Sequence, residues 1–174
     1  VFEKYAKMEG VEYVIDLVNQ GYNVAALNMS LEFYASEAPT YANLTATPFW
    51  QACKELDNLN STAIVVAAGN YQAVVGEPTT KTMRDGNGNV IYTPGEYVYP
   101  ASFRGLNNLI SVAALISDGT LADFTNTNGT MAAPGVEIYS TYLQSSTSFI
   151  GNDGVSIASM KGTSMRQYLL RHCR

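Results

Sequence analysis

Apolar residues recur along the chain at two spacings, and segments of the two kinds alternate. Between residues 10 and 21 they recur every three or four positions, at Val11, Val14, Ile15 and Val18. This spacing predicts a helix that ends at Gly21, where a glycine suits the residue after a helix. The mostly apolar run 24–29, interrupted only by Asn28, then predicts a buried strand. A helix followed closely by an apolar strand is typical of a parallel α/β sheet.

The same alternation continues further along the chain. Thr47-Pro48 provides a helix cap and a proline at the first helical position. The apolar face of this second helix is predicted to contain Phe49, Ala52, Cys53 and Leu56. Cys53 is therefore interpreted as a small buried hydrophobic residue. Runs 63–68 and 109–115 predict two more strands, whereas residues 33–46, rich in Tyr, Ala, Ser and Thr, predict a loop.

Turn signals predict hairpins between these units. Within an enlarged loop over residues 71–98, Asp85-Gly86-Asn87-Gly88-Asn89 predicts a hairpin that pairs residues 80–83 with 90–93. With Glu96 the same residues loosely resemble a calcium loop, but Val90 stands where that loop needs glycine, so no metal site is predicted. The turn signal at 151–154 predicts a second hairpin, between residues 140–150 and 155–160.

Composition excludes several classes of function. The 174 residues are 47% apolar, which is enough for one domain with a core, and the net charge of −5 with only 10 Lys plus Arg argues against nucleic acid as a partner. No apolar run reaches the roughly 18 residues that span a membrane. Two cysteines cannot form a disulfide framework. Neither glycine-rich nucleotide-binding motif occurs, and no cofactor is predicted. The first five residues lack the apolar stretch of a signal peptide, and we expect the sequence to be a piece of a longer chain.

Two polar residues follow strand-like runs and are candidates for chemistry. Gly162-Thr163-Ser164-Met165 places a serine hydroxyl at a turn, where a nucleophile can be exposed. Asn70 follows the run 63–68, where its side-chain amide can donate to a developing oxyanion. Each also has an ordinary explanation, because serine is a common helix cap and asparagine is common in left-handed turns.

The order of the motifs adds a family resemblance. From about Val11 to Met165 the chain resembles the C-terminal half of the subtilisin-like serine peptidases. The motifs that carry this resemblance are Leu27-Asn28-Met29-Ser30-Leu31, Ala67-Ala68-Gly69-Asn70, Tyr99-Pro100, Leu121-Ala122-Asp123-Phe124-Thr125-Asn126 with Ala132-Ala133-Pro134-Gly135, and Gly162-Thr163-Ser164-Met165. The resemblance implies a partial subtilisin-like domain over residues 1–165, with an incomplete doubly wound, mostly parallel α/β sheet and hairpin insertions.

The resemblance also implies roles for particular residues. Ser164 would be the acyl-enzyme nucleophile and Asn70 the oxyanion donor, acting on a polypeptide substrate outside the cell or at its surface. The substrate-binding residues would be Ser30, Leu31 and Glu32 along one strand edge, with Ala67, Ala68 and Gly69 as a pocket wall. Glu32 stands where the family has glycine. Its carboxylate would narrow the groove or favour a basic substrate residue, and a solvated loop carboxylate is the alternative.

Other features depart from the family pattern. The family's catalytic aspartate and histidine lie upstream of the matching segment, and the one histidine here, His172, follows Ser164 by eight residues in the wrong position. Residues 166–174 do not match at all. We therefore expect the 174-residue chain to lack the N-terminal part of its domain and to be inactive alone. The alternative function is a non-catalytic peptide-binding α/β module that uses the edge at Ser30, Leu31 and Glu32.

Two geometric expectations follow from the resemblance. Asn70 and Ser164 should approach each other at one end of the parallel sheet, because one acyl oxygen must reach both. The Tyr99-Pro100 peptide bond should be cis, as is common in the family, and the bonds before the other five prolines should be trans.

Overall fold

The computed structural model describes residues 2–141, 149–150 and 156–163. Its helices are α1 (Phe2–Asn19), α2 (Tyr41–Thr45) and α3 (Pro48–Asn58). Its strands are β1 (Ala26–Met29), β2 (Phe33–Ala35), β3 (Ala63–Ala67), β4 (Met83–Arg84), β5 (Val90–Tyr92), β6 (Tyr97–Tyr99), β7 (Leu109–Leu115), β8 (Met131–Pro134), β9 (Ile138–Thr141), β10 (Phe149–Ile150) and β11 (Ser156–Met160). None of the helices in these ranges is both long enough and apolar enough to cross a membrane.

A parallel sheet forms the centre of the fold. Its order is β1-β3-β7-β8, and each neighbouring pair is parallel. The apolar runs predicted as strands are its two central strands, β3 and β7, and its edge strand, β1. These observations confirm the predicted α/β class and the mostly parallel sheet. The fourth strand, β8, was not predicted as a separate strand, because Met-Ala-Ala-Pro is too short and too weakly apolar to give a local signal.

The main core lies between one face of this sheet and the helices α1 and α3. Ile64 and Val66 of β3 are fully buried in it, as are Cys53 and Leu56 of α3. The predicted apolar face of α3 is therefore confirmed. Burial raises the pKa of the Cys53 thiol to about 12, so this cysteine stays protonated and serves as packing.

The C-terminal end of α1 is fixed by the predicted glycine. Gly21 has φ +87°, a conformation that glycine adopts without steric cost. Its N–H donates to the carbonyl of Val18 at 2.9 Å, and the N–H of Tyr22 donates to the carbonyl of Leu17 at 3.0 Å. This is the Schellman pattern of hydrogen bonds. At its other end the helix extends back to Phe2, beyond the predicted start near Gly10.

Two interpretations of the N-terminal half were wrong. Residues 33–46 are not a plain loop, because β2 pairs antiparallel with β6 and α2 follows it. Their order depends on a distant contact, in which the Phe33 ring stacks on Tyr99 at 5.8 Å between centroids. The strand at 24–29 is not fully buried either. Only Met29 of β1 is buried, since β1 forms the edge of the described sheet.

The hairpin predictions are confirmed where the structure describes them. β4 and β5 pair antiparallel around the turn that begins at Asp85, although the ladder is shorter than expected. β10 pairs with β11 as predicted, and β9 also pairs with β11 to complete a three-stranded antiparallel sheet. Residues 142–148 and 151–155 lie outside the described ranges. The Tyr99-Pro100 bond is cis, as expected, and the bonds before the other prolines are trans.

One buried carboxylate connects the end of α3 to the start of β7. Asp57 is 4% exposed, and its Oδ1 accepts hydrogen bonds from the backbone N–H groups of Asn107 at 2.7 Å and Asn108 at 2.8 Å. Its Oδ2 accepts from Lys54 Nζ, also at 2.7 Å. Burial alone would raise the pKa of Asp57, but these donors outweigh burial and hold that pKa below its ordinary value of 3.8.

We expect Asp57→Ala to lower the free energy of unfolding by about 1–3 kcal/mol near neutral pH, because two partly buried N–H groups lose their acceptor. A carboxyl pKa lowered by folding stabilises the protein above the unfolded pKa and loses that effect as pH falls through the folded pKa. The difference from wild type should therefore shrink as the pH drops below 3.8. Unfolding followed at several pH values tests this, with the exposed neighbour Glu55→Ala as the control. A difference that is constant down to pH 2 would contradict it.

Candidate active site

The carboxyl ends of β1 and β3 bring two candidate residues together. Glu32 lies three residues beyond the end of β1, and Asn70 lies three residues beyond the end of β3. Because the two strands are parallel neighbours, the segments that follow them lie side by side. The backbone N–H of Asn70 donates a hydrogen bond to the Glu32 carboxylate.

The segment after β11 reaches the same point of the sheet. The Asn70 Oδ1 atom accepts a hydrogen bond from the Thr163 N–H at 2.8 Å and another from Thr163 Oγ1 at 3.1 Å. The Gly69 N–H donates to Thr163 Oγ1 at 3.3 Å, and Thr163 is fully buried. Residues 93 positions apart in sequence are thus in direct contact. Asn70 is held by the residue immediately before Ser164.

The two bonds from Thr163 also orient the Asn70 amide. Both use its oxygen, and within the described ranges its Nδ2 has no hydrogen-bond partner. Because the carbonyl side of the amide is fixed, its N–H₂ side is directed away from Thr163 N. Ser164 and His172 lie outside the described residues, so the expected approach of Asn70 and Ser164 remains a prediction. The position of Thr163 is consistent with it.

Asn126 holds the turn that presents Asn70, and the sequence analysis assigned it no role. It is fully buried. Its Nδ2 donates to the Ala68 carbonyl at 2.8 Å, and its N–H donates to the Gly69 carbonyl at 2.9 Å. Its Oδ1 accepts from the N–H of Tyr71 at 3.1 Å and of Ala73 at 2.8 Å. Its turn partners lie 53–58 residues away, so no local pattern could have indicated this role.

Gly69 is required by the conformation and by the space around it. Its φ is +111°, and a Cβ built at this position would collide with the Asn126 amide and the Glu32 carboxylate. Ala67 and Ala68, the other predicted wall residues, are 2% and 0% exposed. The side chains of Ala67 and Ala68 are therefore enclosed, and among the three predicted wall residues Gly69 is the one that the structure shows against Glu32.

Glu32 itself is half-buried. Burial raises the pKa of its carboxyl group, and the hydrogen bonds from the Asn70 N–H and from Tyr34 Oη offset part of that rise. Tyr34 Oη donates to Glu32 Oε2 at 3.4 Å and accepts from Asn126 Nδ2 at 3.3 Å. Burial, then the nearby Glu32 charge, raises the pKa of Tyr34, so its hydroxyl remains a donor. The other two predicted edge residues lie nearby, with Ser30 exposed and Leu31 half-buried.

Comparison with known proteins identifies the family. The family model described as the subtilase family matches residues 4–165, which is most of the chain. The protein belongs to the subtilase family. This match confirms the resemblance inferred from the motifs and covers the turn at Asn70 as well as the segment through Thr163. Subtilases are serine peptidases, a class whose chemistry requires a nucleophile and an oxyanion donor of the kinds predicted here.

Solved structures of subtilisin-like proteases share the fold. The prenylagaramide maturation protease PagA is 17% identical with a TM-score of 0.58, and the match covers 94% of this chain and 46% of PagA. A mutant of the PatA protease domain is 16% identical with a TM-score of 0.57, and the match covers 94% of this chain and 46% of that domain. MycP1 from Mycobacterium smegmatis is 22% identical with a TM-score of 0.55, and the match covers 92% of this chain and 40% of MycP1. The chain thus spans about half the length of these structures. No curated protein gives a significant match.

We expect Gly69→Ala to destabilise the protein more than Gly95→Ala does. Both glycines have positive φ, +111° and +92°, but an added Cβ at Gly95 meets nothing within 4 Å. Both substitutions should carry the backbone cost of about 1–2 kcal/mol, and Gly69→Ala should add an overpacking cost of about 1–3 kcal/mol. Thermal unfolding of the two variants measures the difference. Equal losses of stability would show that Glu32 and Asn126 do not enclose Gly69.

Proposed function

We propose that the protein is a serine endopeptidase that works through an acyl-enzyme, with Ser164 as nucleophile and Asn70 as oxyanion donor. The observation that carries the proposal is the pair of hydrogen bonds from Thr163 to Asn70 Oδ1, at 2.8 and 3.1 Å. They hold Thr163, the residue before Ser164, against Asn70, and within the described ranges they leave Asn70 Nδ2 without a hydrogen-bond partner. Acyl transfer requires a serine and an amide donor beside one oxygen atom, and the contact between Thr163 and Asn70 supports that arrangement.

The proposed chemistry assigns one task to each residue. Ser164 Oγ attacks the carbonyl carbon of the scissile peptide bond, and the carbonyl oxygen gains negative charge. Asn70 Nδ2–H donates to that oxygen, together with a backbone N–H beside Ser164. A general base must take the serine proton, and a carboxylate must orient that base. We propose that both belong to the N-terminal part of the domain, as in the family, and that His172 does not replace them.

Substrate binding follows from the same edge of the sheet. We propose that a polypeptide backbone pairs with Ser30, Leu31 and Glu32, which continue beyond the edge strand β1, as in recognition by strand addition. The proposed wall opposite this edge consists of Ala67, Ala68 and Gly69, whose small size leaves space for a substrate side chain. Action outside the cell or at its surface is the setting that the family membership favours.

A peptide-binding function without catalysis is the second candidate. It is favoured by the same edge strand, because within the described sheet β1 pairs only with β3 and leaves its other edge open. An open edge can bind an extended peptide without any nucleophile. Peptide binding by the full-length protein with no turnover and no reaction at Ser164 would support this candidate over the peptidase.

We expect no covalent labelling of Ser164 when the isolated 174-residue chain is treated with a fluorophosphonate probe. A serine without a positioned base is a weak nucleophile near neutral pH. The full-length protein should be labelled under the same conditions, and its Ser164→Ala variant should not. Intact-protein mass spectrometry followed by peptide mapping reads out the modified residue. Stoichiometric labelling of the isolated chain would mean that these residues contain a base of their own.

We expect Asn70→Ala in the full-length protein to lower kcat by about 10²–10³, the size of effect known for such a donor in a subtilisin, with little change in KM. The donor acts on charge that develops in the transition state, so ground-state binding should be nearly unchanged. The matched control is Asn89→Ala, which removes an amide that donates to Asp85 Oδ2 at 2.9 Å in the distant hairpin. An increase in KM with kcat unchanged would contradict the assignment of Asn70 as the oxyanion donor.

A further inference from the structure

Glu32 is placed to meet a substrate side chain. It follows β1 on the proposed substrate-binding edge, and its carboxylate lies against Gly69 and the Asn70 N–H. Gly69 has no side chain to cover the carboxylate. The residue as a whole is half-buried, so it is not fully enclosed by the described part of the chain.

The hydrogen bonds around Glu32 define it as an acceptor. The Asn70 N–H and the Tyr34 hydroxyl both donate to the carboxylate. Tyr34 cannot take the opposite role, because its oxygen already accepts from Asn126 Nδ2 and its one proton is directed to Glu32. A carboxylate has roughly four lone-pair sites, and these two donors occupy two of them. Two acceptor sites therefore remain for a ligand that brings N–H groups.

The charge of Glu32 is not neutralised within the described residues. Each lysine and arginine whose side chain is described there is engaged at another point. Lys54 pairs with Asp57, Lys81 bonds to Gln72, Arg84 to the Gly88 carbonyl, Arg104 to the Gly76 carbonyl, and Lys161 lies over the Phe124 ring. A half-buried carboxylate with only neutral donors is destabilised by desolvation, and an added cation relieves that cost.

We propose that Glu32 makes this site select a basic residue, arginine or lysine, in the substrate position that enters the pocket beside Gly69. The inference rests on the proposed peptidase function and adds a substrate class to it. A guanidinium or ammonium group would donate to the unoccupied lone pairs of Glu32 while its aliphatic stem lies along the backbone at Gly69. An arginine fork suits two adjacent acceptor sites on one carboxylate.

The alternative effect of the Glu32 side chain would be to block the pocket. If the Glu32 side chain fills the space next to Gly69, only alanine or glycine would be accepted there. Two observations favour an open, charged pocket. Glu32 is half-buried and not fully enclosed, and the hydrogen bond from Tyr34, which itself accepts from Asn126, restrains the position of the carboxylate.

The test uses the full-length protein and fluorogenic peptides that differ only in the residue before the scissile bond. The set contains arginine, lysine, glutamine, leucine, phenylalanine and alanine, and kcat/KM is measured for each. We expect arginine or lysine to exceed leucine by at least about tenfold, since truncating one partner of a close charge pair commonly has effects of this size or larger. In Glu32→Gln, which keeps the shape of the side chain, this ratio should fall at least tenfold.

The matched control is Glu37→Gln, an exposed carboxylate five residues away, which should keep the wild-type ratio. Fluorophosphonate labelling of Ser164 in each variant reports whether the catalytic site remains folded. A wild-type preference for leucine or phenylalanine, a ratio unchanged in Glu32→Gln, or a preference for alanine that Glu32→Gly broadens would each overturn the inference. Cleavage of none of the peptides together with no labelling of wild-type Ser164 would instead reject the proposed function, and the inference with it.

Discussion

The hydrogen bonds between Asn126 and the turn over residues 68–73 are the constraint on which the candidate site depends. Asn126 donates two hydrogen bonds to this turn and accepts two from it, and these four bonds fix the backbone on both sides of Asn70. Because the turn is held from behind, Asn70 can direct its side chain toward Thr163 without losing backbone order. The candidate site is thus formed by an ordered turn after β3 to which Thr163 binds, and the proposed oxyanion donor requires this kind of preorganisation.

The same constraint explains why a charge is tolerated beside the turn. Asn126 Nδ2 bonds to Tyr34, Tyr34 bonds to Glu32, and Glu32 in turn accepts from the backbone of Asn70. Gly69 leaves the space that this chain of bonds occupies. The proposed substrate selection would therefore be coupled to structural order at this edge of the sheet, since the residues that fix Asn70 also hold the carboxylate of the proposed pocket.

Local sequence signals predicted the parts of the fold that depend on local physics. The period of α3 and the continuous apolar runs of β3 and β7 follow from burial alone, and Gly21 ends α1 by its backbone conformation. The order of β2 and α2 was missed because it depends on contacts with residues near Tyr99. Asn70 was predicted as a site residue through the family resemblance. Asn126 was not, since its turn partners lie more than fifty positions away.

The central claim is that Asn70 and Ser164 act on one oxygen atom. A crystal structure of the full-length protein after reaction with a fluorophosphonate would test it most directly, because the phosphonyl oxygen takes the place of the oxyanion. The account predicts a covalent bond at Ser164 Oγ and a distance of about 2.7–3.1 Å from the phosphonyl oxygen to Asn70 Nδ2. An adduct whose oxygen is bound by other donors, with Asn70 Nδ2 out of hydrogen-bond range, would contradict it.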